Sequence, residues 1–320
     1  MMEIIEKKQL KLKLTSSPHI HSDLSSKKAM LYVIIALLPC VISSLVFFGA
    51  RQFLIILTSI FFTASAEFTV RKIRKQESTL SDGSAFLTGL LLALILPPDF
   101  SLSSTAIGAV VSIVIGKEVF GGLGCNIFNP ALVGRAFLQA AFPVPMTTWV
   151  KTEFPVDAFS GATPLSAYKF DKVITDIFPM FLGNTGGSLG ETSAIAIIAG
   201  GIFLVFMKIV NWRIPFSIIT GSLVFSGIFY LMGKTPDPIF HILAGGLLFG
   251  SFFMATDWVT SPLTAKGIWI YGFGIAFLVI VIRVFGGLPE GVMYSILLMN
   301  AFVPLINKFT VPLIFGGKDE

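Results

Sequence analysis

Long apolar runs separated by short polar stretches dominate this chain. A helix that spans a lipid bilayer needs about 20 predominantly apolar residues. By that measure, the runs predict ten spanning helices. They lie near residues 29–50, 52–70, 84–98, 103–120, 129–142, 193–211, 214–232, 238–256, 267–283 and 289–307. The pattern is therefore typical of an all-α polytopic membrane protein.

One long polar segment, residues 143–192, divides the predicted helices into two groups of five. The first group occupies residues 29–142 and the second occupies residues 193–307. Polar ends precede and follow them, at residues 1–28 and 308–320. We expect these five regions to be the organisational units of the chain.

An internal repeat accompanies this division. Val119-Phe120-Gly121-Gly122-Leu123 recurs as Val284-Phe285-Gly286-Gly287-Leu288, about half a chain later. An odd number of helices in each half makes the second half enter the membrane from the opposite side. The sequence therefore predicts two inverted five-helix repeats, an arrangement that often places a binding site at the repeat interface.

Composition and charge agree with a membrane protein and set its orientation. Only 13% of the residues are charged and 54% are hydrophobic, whereas soluble domains carry about 25% charged residues. Most Lys and Arg residues between the runs fall on the side of the two chain ends. Basic loops favour the cytoplasm, so both termini are predicted to be cytoplasmic and residues 143–192 to face outward. The net charge of +5 then requires no nucleic-acid partner.

Several polar residues lie at predicted membrane depth, where charge is costly and functional roles are common. Glu118 ends the fourth run, Arg135 lies inside the fifth, and Asp257 closes the eighth. Glu118 and Asp257 are candidates for an ion pathway, although Glu118 and the preceding Lys117 could equally lie at the cytoplasmic interface. Arg135 is expected to face protein, a cofactor or a water-filled cavity.

Asn126 and Asn129 follow the glycine-rich connection between the fourth and fifth runs. Their amides suit hydrogen bonding to a flavin ring, or they cap the fifth helix. With Arg135, they are the candidates for a second flavin site. His19 and His21 lack further metal ligands nearby, so we predict no metal site. The chain also shows no recognisable catalytic constellation.

The polar segment contains a motif that displays a threonine. Asp157 precedes Ser160, Gly161, Ala162 and Thr163, and a proline follows. The small residues remove bulk beside Thr163, and the proline biases it toward an extended conformation. A polar turn is the simplest interpretation. A hydroxyl displayed for a modifying enzyme is the alternative.

This motif resembles the Asp-x-x-(Ser/Thr)-Gly-Ala-Thr flavinylation motif, in which a flavin transferase joins FMN phosphate to the threonine as a phosphoester. Three further runs, at 89–98, 121–131 and 255–262, are similar to those of one membrane flavoprotein family. That family includes the D-type subunit of the Rnf complex and the B-type subunit of the sodium-pumping NADH:quinone reductase. The resemblance covers nearly the whole chain.

The resemblance implies a subunit of an ion-translocating ferredoxin:NAD oxidoreductase in the prokaryotic plasma (inner) membrane. It implies covalent FMN on Thr163 at the outer face, and a second, noncovalent flavin such as riboflavin. Electrons would pass through these flavins between membrane, iron–sulfur and flavin subunits while Na⁺ or H⁺ crosses the membrane. The choice between Na⁺ and H⁺ stays open.

Two other interpretations also stay open. The B-type subunit of the quinone reductase would have the same fold and flavin but a quinone as electron acceptor. A channel or transporter for a small solute is the alternative from another class, because inverted five-helix repeats also build such proteins. Flavin absorbance would distinguish the transporter from the two redox subunits.

Overall fold

The computed structural model describes residues 24–151, 159–160 and 162–312. In the first half of the chain, the helices are α1 (Ser26–Phe48), α2 (Arg51–Ile73), α3 (Ser84–Leu94), α4 (Leu102–Val114), α5 (Pro130–Ala141) and α6 (Pro143–Thr147). The central segment contains β1 (Val150–Lys151), β2 (Phe159–Ser160), α7 (Pro164–Ser166) and α8 (Ile177–Leu182). The second half contains α9 (Ala194–Phe206), α10 (Arg213–Leu231), α11 (Pro238–Leu243), α12 (Leu247–Phe249), α13 (Ala265–Phe285) and α14 (Val292–Thr310).

Short irregular elements complete this architecture. Single 3₁₀ turns occur at Leu80–Asp82 and Glu118–Phe120. Wider π-helical turns at Ala167–Asp171 and Gly250–Met254 continue α7 and α12. The two strands form one antiparallel pair with Val150 opposite Ser160. The described part of the chain is therefore almost entirely helical, as the apolar runs predict.

Six helical stretches of the described chain are long and apolar enough to cross a membrane. They are Ser26–Phe48, Arg51–Ile73, Leu102–Phe120, Arg213–Leu231, Ala265–Phe285 and Val292–Thr310. Two shorter apolar helices, Ser84–Leu94 and Ala194–Phe206, and the 12-residue α5 also come from predicted runs. The count of ten complete spanning helices is therefore not confirmed, although a multi-pass membrane protein is.

The largest departure from the predicted helices is in the run at 238–256, which is not one helix. Helix α11 ends at Leu243, and the chain unwinds through Ala244 and Gly245 before α12 begins. Gly245 has a φ of +68°, which side chains with a Cβ rarely adopt. Hydropathy alone does not reveal such a break, because the unwound residues are as apolar as their neighbours.

The run at 84–98 is also shorter than predicted, because α3 ends at Leu94. The carbonyls of Leu94 and Leu96 then accept hydrogen bonds from the backbone of Gly190 and Leu189. Backbone groups that leave a helix inside a membrane must find partners within the protein. The segment before α9, assigned from sequence to a polar loop, supplies them.

Each half of the chain packs in a similar order. In the first half, α2 lies against α3 and α4, and α4 lies against α5. In the second half, α10 lies against α11 and α13, and α13 lies against α14. Helices α1 and α9 contact each other and join the halves. Gly200 of α9 allows this approach, because a Cβ there would overlap the carbonyl oxygen of Ala36.

The outside of the bundle is apolar as well as the inside. Large side chains such as Leu31, Phe61, Phe206 and Leu231 are exposed along the long helices. Exposed apolar side chains in such numbers are expected where lipid, not water, surrounds a helix. Charged side chains such as Glu67, Lys117 and Arg135 are instead buried between the helices, whose termini define the two ends of the bundle.

Helix α5 provides a reference for these two ends. Its N-cap is Asn129, and the segment that carries Thr163 follows its C-terminus. We call these the Asn129 end and the Thr163 end. Arg135 lies between them, six residues after Asn129, or about 9 Å along the helix axis.

Candidate functional site

Thr163 is the N-cap of the short helix α7. Its backbone is extended, with φ −66° and ψ 157°, as the following Pro164 requires. The Thr163 hydroxyl accepts a hydrogen bond from the Ser166 backbone N–H at 3.1 Å and donates to Ser166 Oγ at 2.9 Å. The oxygen is thus held in one orientation, and the side chain is half-buried.

A cavity of about 590 Å³ lies beside this threonine. Ala162 and Ser166 line it on either side of Thr163, and Trp149, Phe170 and Tyr294 contribute aromatic surface. Thr163 itself lines an adjoining recess of about 40 Å³, and Trp149 and Glu290 line both spaces. The Thr163 hydroxyl therefore lies next to a space of the size that binds cofactors.

A buried charge cluster forms the inner wall of this cavity. Arg135 Nη1 contacts Glu191 Oε1 at 2.9 Å, and Arg135 Nη2 contacts Glu290 Oε2 at 2.9 Å. The side chains of Arg135 and Glu191 are only 5% and 6% exposed. Glu290 also accepts a hydrogen bond from the Gly246 N–H at 3.0 Å, at the break between α11 and α12. We call Arg135, Glu191 and Glu290 the Arg135 cluster.

The Arg135 cluster connects distant parts of the chain. Arg135 comes from α5, Glu191 precedes α9, and Glu290 precedes α14. The guanidinium of Arg135 pairs with both carboxylates, and burial together with the neighbouring Glu290 raises the pKa of Glu191 to about 7. The cluster fixes the position of α5 relative to the second half at the floor of the Thr163-end cavity.

A second cavity, of about 340 Å³, opens at the Asn129 end. Asn126, Asn129, Asp257 and Lys117 line it, together with Trp258. Both apolar and polar surfaces are present, which suits an organic ligand with a polar edge. The first half of the chain supplies the amides and the lysine, and the second half supplies the carboxylate.

The two asparagines have defined partners. Asn129 caps α5 by accepting from the Ala131 N–H at 3.1 Å, and its amide donates to the Met254 carbonyl at 3.2 Å. Asn126 donates to the Phe128 carbonyl at 3.1 Å and lines the same cavity as Asp257, whose carboxylate accepts from Thr260 Oγ1 at 3.2 Å. The helix-cap interpretation therefore holds for Asn129, which at the same time joins the two halves.

Lys117 is buried within the protein. Its Nζ contacts Glu67 Oε2 at 2.6 Å and Ser84 Oγ at 2.6 Å. The other Glu67 oxygen accepts from Thr79 Oγ1 at 2.5 Å. The side chains of Lys117 and Glu67 are 2% and 0% exposed, so the protein itself encloses and pairs both charges.

Glu118 is buried as well and lies next to this pair. Its Oε1 is 3.3 Å from Arg71 Nε, and Arg74 donates to its backbone carbonyl. Its Oε2 has no hydrogen-bond partner among the described residues. Gly121 and Gly122 then turn the chain with φ values of +119° and +98°, which glycine tolerates without strain. Glu118 is thus held by the protein on one oxygen only.

Residues 13–316 match the model of the NQR2, RnfD, RnfE family. The chain belongs to that family. This match covers the two cavities, the Arg135 cluster and the segment with Thr163.

Three relatives, each named as the D subunit of its complex, are similar to the chain over almost their whole length. The chain is 46% identical to the D subunit of the proton-translocating ferredoxin:NAD(+) oxidoreductase complex of Clostridium ljungdahlii, over 95% of this chain and 96% of that one. It is 40% identical to the D subunit of the Na(+)-translocating ferredoxin:NAD(+) oxidoreductase complex of Acetobacterium woodii, over 96% of each chain. It is 36% identical to the D subunit of an ion-translocating oxidoreductase complex of Actinobacillus succinogenes, over 95% of this chain and 98% of that one.

Some predicted site residues lie outside the described structure. Asp157 and Gly161 are among them, as are His19 and His21, and only the backbone of Ser160 is described. Within residues 24–151, 159–160 and 162–312, no group of three or more His, Cys, Asp or Glu side chains could hold a metal ion.

The sequence did not single out the carboxylates that pair with the buried cations. Glu67 lies inside an apolar run, where a lone carboxylate is expected to be functional or paired, so a signal was present. Glu191 lies in the segment assigned to a polar connection, and Glu290 lies at the first turn of the predicted run at 289–307, where a carboxylate is an ordinary helix-start residue. Only the fold brings them to Arg135.

Proposed function

We propose that this chain is the D-type subunit of a membrane-bound, ion-translocating ferredoxin:NAD oxidoreductase, and that it carries FMN covalently on Thr163. Family membership and the relatives' names support the complex. The observation that supports the attachment site is the Thr163 hydroxyl, held by Ser166 beside the Thr163-end cavity.

The residues at the Thr163 end fit a flavin phosphoester. A phosphate joined to Thr163 Oγ1 replaces the hydroxyl proton, while the oxygen remains available to the Ser166 N–H. The neighbouring cavity of about 590 Å³ falls within the range of small-molecule sites, about 300–1,000 Å³. Trp149, Phe170 and Tyr294 offer the apolar and aromatic surface that a ring system needs. When bound, the flavin would supply the one- and two-electron chemistry of the relay.

The protein contributes position and electrostatics to that relay. Ser166 orients the attachment oxygen, and the Arg135 cluster holds fixed charged groups beside the cavity. Fixed dipoles and charges in a region of low dielectric constant set the potential of a redox group. No dinucleotide site is expected on this chain, so ferredoxin and NAD would react at iron–sulfur and flavin partner subunits.

The Asn129-end cavity suits the second, noncovalent flavin. Asn126, Asn129 and Asp257 present amide and carboxylate groups to a space of about 340 Å³. Arg135, a sequence candidate for this flavin, instead lines the Thr163-end cavity and binds carboxylates. We therefore assign the second flavin to the asparagines and Asp257, without Arg135.

We also propose the inverted-repeat arrangement. The similar packing order of α2–α5 and α10–α14 supports it, as does the contact of α1 with α9. In this arrangement the broken helices α3 and α11–α12 are counterparts, and ten segments enter the membrane. The distribution of Lys and Arg supports cytoplasmic termini, with Thr163 at the outer face.

Glu118 and Asp257 remain the proposed residues of the ion route. Glu118 has a buried oxygen without a partner among the described residues, and Asp257 lines the cavity at the same end of the bundle. One relative is named for protons and another for Na⁺. We therefore assign Glu118 and Asp257 to the ion route, for either H⁺ or Na⁺.

In-gel flavin fluorescence after denaturation tests the attachment site. Thr163→Ala should abolish the fluorescent band, while the purified protein remains folded with an unfolding midpoint lowered only by the loss of the α7 N-cap. Thr148→Ala is the matched control, because Thr148 also lines the cavity and, among the described residues, its hydroxyl donates to the Val144 carbonyl one turn earlier. Fluorescence retained in Thr163→Ala would overturn the assignment. A wild-type chain without flavin absorbance would favour a solute transporter.

A further inference from the structure

A third, basic cavity lies at the Thr163 end, between the α7 segment and helices α10, α11 and α13. Its volume is about 50 Å³. Lys169, Lys172, Lys234, His241 and Arg283 line it, and none of its described lining residues is acidic. The space exceeds the share of one water molecule in the liquid, about 30 Å³, but is far too small for a flavin ring.

Two of these cations are already bound by the protein. Lys169 donates to the backbone carbonyls of Arg283, Gly286 and Leu288. Arg283 donates to the carbonyls of His241 and Ala244. Burial and the neighbouring charge of Lys172 lower the pKa of Lys169. Lys169 and Arg283 thus form the frame of the cavity.

Lys172 and Lys234 are held differently. Lys172 Nζ lies 5.2 Å from the centre of the Tyr168 ring, and Lys234 Nζ lies 5.4 Å from that of Phe285. Among the described residues, neither lysine forms an ion pair within 4.0 Å. Both lysines are exposed at the edge of a cavity without acidic lining.

His241 supplies an independent sign of a ligand. The residue is only 2% exposed, and neither ring nitrogen has a hydrogen-bond partner among the described residues. Nε of Arg283 is also buried without a described partner. Buried polar atoms normally find partners, so three such atoms around one basic cavity indicate a missing acceptor-rich group.

We infer that this cavity binds a phosphate group, recognised by Lys172, Lys234 and His241. A phosphate oxygen accepts from the ammonium groups and from one imidazole N–H. Exposed apolar side chains continue from the cavity along the helix ends, at Leu231, Met232 and Phe285. A phospholipid of net negative charge would lay its acyl chains there and its phosphate among the lysines. The phosphate site would thus hold an anionic lipid at the edge of the loop that carries Thr163.

The inferred site is separate from the proposed flavin attachment. Thr163 lines a different recess, which shares only Leu165 and Pro289 with the basic cavity. The inference therefore does not rest on FMN. Thr163→Ala should leave phosphate binding unchanged, so failure of one proposal does not decide the other.

Native mass spectrometry of the full-length protein in detergent tests the inference. The protein is delipidated and mixed with phosphatidylglycerol or, separately, with phosphatidylcholine of the same chains. Lys172→Gln with Lys234→Gln keeps the long side chains and should reduce phosphatidylglycerol binding roughly ten- to thirty-fold. The matched control is Lys208→Gln with Lys266→Gln, two exposed lysines at the other end of the bundle. Equal loss in both double variants would overturn the inference.

Two further arms identify the source of the phosphate and the role of the histidine. If inorganic phosphate binds the wild-type protein and phosphatidylglycerol does not, the anion site is supported and its ligand is a free ion. If neither binds more tightly to the wild type than to the double variant, the inference fails. His241→Phe preserves the ring contact with Phe240 and should weaken binding several-fold, whereas unchanged binding would remove His241 from the site.

Discussion

The buried charges at the two ends of the bundle are arranged in different ways. At the Thr163 end, Arg135 of the first half binds Glu290 of the second half, and Glu191 precedes α9. At the Asn129 end, Lys117 and Glu67 both belong to the first half and pair with each other. One arrangement connects the halves, and the other stabilises the interior of one half.

This difference indicates how each cavity keeps its shape. The Thr163-end cavity has a floor made by an ionic contact between halves, so its geometry depends on how the halves meet. The wall of the Asn129-end cavity contains Lys117, which is fixed within its own half. There the halves meet through the hydrogen bond from the Asn129 amide to the Met254 carbonyl. A neutral contact of this kind separates at lower cost than a buried ionic cluster.

Removal of Arg135 should produce the largest effect. Arg135→Met leaves two buried carboxylates without their cation, and breaking a buried ion pair costs about 3–5 kcal/mol. The thermal unfolding midpoint of the purified protein in detergent should therefore fall sharply. Arg135→Lys is the matched control, since it retains the positive charge but reaches fewer carboxylate oxygens. Its unfolding midpoint should lie between those of Arg135→Met and the wild type. Equal stability of Arg135→Met and wild type would show that the cluster does not hold the halves together.

Lys117→Met should be the next most severe change. It leaves the single buried carboxylate of Glu67 unpaired, again at a cost of about 3–5 kcal/mol. Adding Glu67→Gln removes that charge, so the double variant should be more stable than the two single changes would predict by addition. The difference, the coupling free energy, should be about 0.5–3 kcal/mol. Unfolding midpoints of the four proteins in the cycle measure this coupling. Strict additivity would contradict a direct buried pair.

A smaller effect is expected where the halves meet by close packing. Gly200→Ala places a methyl group against the Ala36 carbonyl of α1, and overpacking costs about 1–3 kcal/mol. Gly287→Ala is its control, since a Cβ there meets no atom within 4 Å. The unfolding midpoint should fall for the first variant only. A fall of the same size in both would mean that α1 and α9 do not limit stability.

The smallest effect should come from the exposed pair of Arg51 and Asp99. The Nη1 to Oδ1 distance is 2.9 Å, yet the two side chains are 60% and 59% exposed. Water and salt screen such pairs, which contribute about 0–1 kcal/mol. Arg51→Gln should leave the unfolding midpoint nearly unchanged. A fall comparable to that of Arg135→Met would contradict burial as the cause of the difference.

The sequence predicts the helical content well, because long apolar runs have few alternatives in a membrane. It also predicts the extended backbone at Thr163, since the following Pro164 disfavours a helical conformation there. The break after Leu243 was not predicted, and α3 ends at Leu94, before the predicted end of its run at residue 98. The backbone groups at these two places are satisfied by residues far along the chain, or by glycine conformations that hydropathy does not register.

The sequence did not predict which residues pair with the buried charges, because those partners are distant along the chain. Arg135 was expected to face protein, a cofactor or water, and it faces Glu191 and Glu290. Those carboxylates lie 56 and 155 residues away in sequence, and neither follows a pattern that points to α5. Local sequence indicates that a buried charge needs compensation, whereas only tertiary structure selects the residue that provides it.

Covalent FMN on Thr163 is the feature on which the proposed electron relay depends. Mass spectrometry of the peptide that contains Thr163, from protein purified out of its native membrane, reads this modification on the residue itself. We expect a mass increase equal to FMN less one water, with fragment ions that assign it to Thr163. An unmodified Thr163 peptide, or the same mass increase on another residue, would overturn the assignment.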